Sequence, residues 1–117
     1  MTAVTLLTGK DGVLKNCKAN GHADFSRKGS DIVCSAVTIL LKTAMKVLSQ
    51  NDGVTLKADM SSRGNLAFCV EATKDTPETV GCLKYTADFL RAGFESLSKE
   101  YPKNVSFEET AGAGNKN

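Results

Sequence analysis

Cys34 and His22 are the residues of this 117-residue chain whose types and spacing suit covalent chemistry, and His22 is its single histidine. A thiol beside an imidazole performs acyl transfer: the ring removes the thiol proton, the thiolate attacks a carbonyl carbon, and the ring returns the proton to the leaving amine. The thiolate is the nucleophilic form, and a place at a helix start favours it through the unsatisfied amides and the helix dipole. Both residues also have a plainer reading. Ile32, Val33, Ala36 and Val37 surround Cys34, which fits a small buried thiol, and His22 fits a solvated loop histidine.

The elements that must position the pair follow from periodicity. Apolar residues at Val33, Val37, Leu40, Ala44 and Leu48, joined by Ala36 and Leu41, recur at three and four. That spacing predicts an amphipathic helix from 31 to about 49, with Cys34 in its first turn and Ser30 or Asp31 as its cap. Backbone amides at such a start, that of Cys34 included, are candidates for an oxyanion hole. Before the helix, 3–8 and 13–20 read as strands joined by the turn cluster Gly9-Lys10-Asp11-Gly12, and the second strand places Val13, Cys17 and Ala19 on one face. Residues 21–30 have no period and are bounded by glycine, which predicts a loop running from the strand that ends at His22 to the turn carrying Cys34.

Farther along, Val54, Leu56, Ala58 and Met60 alternate as a third strand, and Leu66, Phe68 and Val70 as a fourth. Thr76-Pro77-Glu78 is a cap, a first-turn proline and a dipole-compatible acid, opening a second helix that runs to about 100. Its predicted buried stripe is Val80, Leu83, Ala87, Leu90, Phe94 and Leu97, with Gly93 there for close packing of helix on sheet. Val105 to Glu109 reads as a last strand. The expected fold is α+β: a mostly antiparallel sheet with two helices packed on one face, order β-β-α-β-β-α-β. A single domain over 1–110 and a disordered tail over 111–117 complete the expectation. The second face of the sheet is a candidate dimer surface.

Composition excludes more than it names. Fifteen basic and thirteen acidic residues are scattered without a basic run, so no direct nucleic-acid partner is expected. The apolar run near the start, Val4 to Leu7, is too short for a signal peptide, and nothing approaches membrane-spanning length, so the expected location is the cytoplasm with no membrane partner. Four cysteines with no C-x-x-C pair and one histidine predict reduced thiols, no metal and no cofactor. Cys17, Cys69 and Cys82 read as core or surface thiols. Arg27 and Lys28 read as solvated loop charge, with substrate contact as the other reading.

Gly21-His22-Ala23 followed by Gly29-Ser30-Asp31-Ile32-Val33-Cys34 resembles the signature of the bacterial ribosomal-processing cysteine proteases, the Prp family. The likeness is strongest over 20–41 and returns at Glu100-Tyr101-Pro102 with Asn104-Val105. It implies a cysteine endopeptidase that removes the N-terminal extension of a large-subunit ribosomal protein, the twenty-seventh in the standard naming. It further implies His22 and Cys34 as the catalytic pair, a cytoplasmic homodimer, a peptide substrate and a mobile loop over the site. Gly21, Asp31 and Thr38 match positions open to supporting or substrate-binding roles. For Asp31 these are helix cap, orienter of His22 or contact to substrate backbone, and the cap is favoured. For Thr38 a bond back to its own helix is favoured over donation to the sulfur. Ser35 stands where that family usually has Ala or Gly, and Thr38 where it usually has Ser. Two other classes remain open: a non-catalytic ribosome-associated binding module with the same fold, and a thiol redox sensor.

Overall fold

The computed structural model describes residues 1–21, 28–60 and 64–112. Five strands and two helices follow in the expected order: β1 (Thr2–Thr8), β2 (Leu14–Asn20), α1 (Lys28–Ser49), β3 (Val54–Asp59), β4 (Asn65–Ala72), α2 (Pro77–Glu100) and β5 (Val105–Ala111). They build one mixed sheet in the order β3-β4-β2-β1-β5, antiparallel throughout except for the parallel pair β1 and β5.

One face of the sheet carries the core. Val4 and Leu6 of β1, Leu14, Cys17 and Ala19 of β2, and Phe68 and Val70 of β4 are buried beneath Val33, Val37, Leu41, Ala44 and Leu48 of α1 and Leu83, Ala87, Leu90 and Phe94 of α2. Phe94 also stacks on Phe107 of β5, ring centroids 6.1 Å apart. By length and composition the stretch Ile32–Ser49 passes for a membrane span, with 18 residues of mean hydropathy 1.7, which the sequence reading did not anticipate. One side of it packs on the sheet. Each large aliphatic side chain it buries against the sheet contributes about 1.5–3 kcal/mol, and its outer side carries Ser35, Lys42 and Lys46, all exposed.

Several expectations shift for identifiable reasons. A bulge between Leu7 and Thr8 skips Lys15, so Leu14 rather than Val13 takes the core position at the start of β2. On α2 the buried stripe begins at Thr79 rather than Val80, because the Thr79 hydroxyl donates to Asn51 Oδ1 at 3.4 Å and accepts from Thr76 Oγ1 at 3.1 Å. Gly93 serves helix-to-helix rather than helix-to-sheet contact, since a Cβ there would meet the Leu40 side chain at 3.0 Å. β5 reaches Ala111, and the Gly112 amide donates to Thr8 O; residues 113–117 of the predicted tail lie outside the described residues. α1 starts at Lys28, inside the span read as loop, so Ser30 and Asp31 belong to its first turn and neither is the cap.

Candidate functional site

The sheet end where β1 and β4 begin and β2 finishes is built from small residues, and α1 crosses above it. Cys34, Val37 and Thr38 lie three and four positions apart, hence on one helical face. They meet Thr2 of β1, Ala19 of β2 with Gly21 just beyond it, and Gly64, Asn65 and Leu66 at the start of β4, around a cleft of about 230 Å³. Register explains the concavity: Ala19 pairs directly with Leu66 across the β2–β4 ladder, so a methyl group faces a leucine and space remains beside it. Gly21 and Gly64 add no side chain.

Gly21 is required by its backbone. Its φ is +88°, a region that disfavours side chains, and a Cβ there would lie 2.5 Å from the Met1 carbonyl oxygen. The chain therefore leaves β2 pressed against its own first residue, whose neighbour Thr2 is held by donating its amide to Asn104 O at 2.8 Å. His22 follows Gly21 immediately in sequence. His22 itself, with Arg27 and most of the predicted loop, lies outside the described residues, as does the Asp31 side chain.

Cys34 is half-buried, and it alone of the four cysteines lines this cleft. Its depth in α1 differs from the expectation. As the seventh residue of a helix starting at Lys28, it lies beyond the first turn, where the dipole effect fades. Its amide sits where a helix bonds each N–H to the carbonyl four residues back. Cys34 thus lies past the first turn on which the expected helix-start effect and a Cys34 oxyanion donor rested. Thr38 lines the same cleft, and among the described residues the favoured hydrogen bond back to its own helix is not made.

The other thiols behave as their positions predict. Cys17 is fully enclosed, and burial pushes its thiol up to about 12, against a weaker opposing backbone bond from Lys18. Such a thiol stays protonated and packs as a small apolar group. Cys69 is exposed on the sheet face that carries no helix, and Cys82 is half-buried on α2. No group of three metal-ligating side chains occurs among the described residues.

Sequence reasoning placed Cys34, Gly21 and Thr38 at the site but missed Thr2, Ala19, Gly64, Asn65 and Leu66. None carries distinctive chemistry, and only the strand register brings them together. It also missed the ionic lock on the opposite side of the molecule. There Arg91 of α2 donates through Nε and Nη2 to the two carboxylate oxygens of Glu109 at 2.7 and 2.9 Å, and through Nη1 to Asp88 at 2.8 Å, while Thr8 Oγ1 donates to Glu109 at 3.3 Å.

Residues 1–106 match the model of the family described as cysteine protease Prp. No curated protein matches the sequence. Among solved structures, the protein SMU.848 from Streptococcus mutans superposes with a TM-score of 0.73 at 23% identity, over 95% of this chain and 95% of its own. The essential ribosomal processing protease Prp from S. aureus, in complex with a substrate peptide, gives 0.72 at 18% identity over 94% of this chain and all of its own. The same enzyme with a covalently linked product peptide gives 0.71 at 19% identity, again over 94% and 100%.

Proposed function

Because the chain belongs to the cysteine protease Prp family, we propose that it is an endopeptidase that removes the N-terminal extension of the twenty-seventh large-subunit ribosomal protein in the cytoplasm. Cys34 is the nucleophile and His22 its general base. The observation that carries this reading is the half-buried Cys34 sulfur in a cleft whose rim is Gly21, the residue preceding the single histidine. The S. aureus protease bound to a substrate peptide supports a peptide as the ligand.

In this mechanism the peptide lies across the cleft with its scissile carbonyl over Cys34. His22 takes the thiol proton as the sulfur attacks the carbonyl carbon, and the resulting tetrahedral adduct collapses as His22 returns that proton to the departing amine. Water then attacks the acyl-enzyme, His22 again accepting the proton, and releases the carboxylate product with the thiol restored.

A homodimer fits the outer surface of the helices. Ile39 and Val47 of α1 and Tyr85 and Phe89 of α2 are exposed there, and apolar patches of this kind mark association sites. The face without helices, which the sequence offered as the dimer surface, is largely polar, with Thr5, Lys18, Lys57, Glu71 and Glu108 on it. The helical face is the better candidate.

A synthetic peptide spanning the junction between the extension and the body of the ribosomal protein tests the reading. The wild-type protein is expected to cut it at one bond, and Cys34→Ala to leave it intact, with mass spectrometry reading the products. An uncut peptide after long incubation with wild type would reject the protease and favour a binding module.

A further inference from the structure

We infer that the Thr2 hydroxyl, at the floor of the cleft beside Cys34, hydrogen-bonds the main chain of the bound peptide. The inference rests on the protease reading above for the identity of that ligand. Four threonines are buried among the described residues: Thr2, Thr8, Thr79 and Thr86. Thr8 donates to Glu109, and Thr79 is tied to Asn51 and Thr76. Thr86 lines the groove between the helices, beside Val47, Tyr85 and Phe89. The Thr2 hydroxyl has no hydrogen-bond partner among the described residues, although only 4% of the residue is exposed.

What remains open on Thr2 points to a ligand. Thr2 shares the inward face of β1 with Val4 and Leu6, and it lines the cleft together with Cys34 and Thr38. Among the described residues, every fully enclosed side-chain nitrogen or oxygen has a partner. The unpartnered Thr2 oxygen is therefore not sealed in the core, and it opens on the cleft. Its place is fixed, since the Thr2 amide donates to Asn104 O at 2.8 Å and the residue pairs with Val105 in the parallel β1–β5 ladder. A valine would fill the same volume without the cost of burying a hydroxyl. A peptide entering the cleft brings amide groups that lose water there and need partners. A threonine hydroxyl can donate to such a carbonyl oxygen or accept from such an N–H.

The experiment measures affinity without turnover. A fluorescein-labelled junction peptide is titrated with Cys34→Ala, Cys34→Ala/Thr2→Val and Cys34→Ala/Thr2→Ser proteins, and fluorescence anisotropy reads the binding. Thr2→Val is expected to weaken binding about three- to tenfold, the worth of one neutral hydrogen bond. Thr2→Ser, which keeps the hydroxyl, should bind within about twofold of the Cys34→Ala parent. Thr2→Val should also melt at or above the parent, because it loses a buried polar group that is unpaired inside the fold. With Cys34 present, Thr2→Val should raise KM by the same factor and leave kcat unchanged. Unchanged affinity in Thr2→Val, an equal loss in Thr2→Ser, a lower melting temperature for Thr2→Val, or no measurable binding by the parent overturns the inference. If wild type cuts nothing while Thr2→Val still weakens binding, the protease reading fails and the Thr2 contact stands.

Discussion

The two ends of the sheet are built to opposite specifications. At one end β4 hands over to α2 through four residues, 73–76, tied by a chain of hydrogen bonds. Thr76 caps α2 by accepting from the Thr79 amide at 3.2 Å, Thr79 donates on to Asn51, Asn51 Oδ1 accepts from the Gly53 amide at 2.8 Å, and the Thr73 amide donates to Gly53 O at 2.7 Å. The strand ends of β1 and β5 meet at the same end, where Thr8 and Glu109 join Arg91. At the other end β2 hands over to α1 through seven residues, 21–27, and the space beneath the helix is lined by glycine, alanine and threonine, with Val37, Asn65 and Leu66, around a thiol. One topological step, strand to helix, is thus sealed in one half, and in the other it borders a cleft. Hydrogen bonds fill the first end, and the described residues at the second enclose the cleft of the proposed site.

The strongest way to break this contrast is at the open end. His22→Ala removes the proposed base, and general acid–base groups contribute about 10²–10⁴ in rate. Cleavage of the junction peptide is expected to fall by about a thousandfold. A variant that cuts at the wild-type rate would strip His22 of its role and return it to a solvated loop residue.

The reverse experiment belongs at the closed end. A methyl group on Gly53 would collide with Thr79 Oγ1 and press on Asn51, so Gly53→Ala is expected to destabilise the fold by about 1–3 kcal/mol. Thr76→Ala, which loses only the cap, is expected to cost about 1 kcal/mol. Chemical denaturation measures both, and the rate of Cys34 alkylation in the folded variants should match wild type. If either variant changed that rate, the two ends would be coupled and the contrast drawn here would be wrong.

How much of this the sequence disclosed follows the range of the forces involved. The order of elements, the cap at Thr76 and the burial of Phe94 and Leu48 come from local propensity and from periods of two and 3.6, so they were legible. The start of α1 was not. Lys28-Gly29-Ser30-Asp31 contains good capping types, and a glycine in a first turn reads as loop. The bulge at Lys15 was also hidden, since pairing to β1 decides which of Val13 and Leu14 turns inward. Cys34, Gly21 and Thr38 announced themselves by chemistry or motif. Ala19 and Leu66 did not, for their importance is a matter of register between strands 47 residues apart in sequence.

The smallest expected effect sharpens the comparison through pH. The Arg91 guanidinium, bonded to both carboxylate oxygens, is the main cause that holds the Glu109 carboxyl below its usual 4.5, with Thr8 adding a weaker bond. A carboxyl whose value is lowered by folding adds stability that is present in full above the unfolded value. That stability is lost as pH falls through the folded one. The loss therefore sets in below about pH 4.5, and a partly exposed pair of this kind contributes about 0.5–1 kcal/mol. Glu109→Gln should be less stable than wild type by that amount at pH 7, and the gap should be smaller at pH 3. Urea unfolding at the two pH values measures it, and a gap that persists in acid would mean that Glu109 acts through packing rather than charge. Because this lock sits at the end remote from Cys34, junction-peptide cleavage by Glu109→Gln at pH 7 should equal that of wild type.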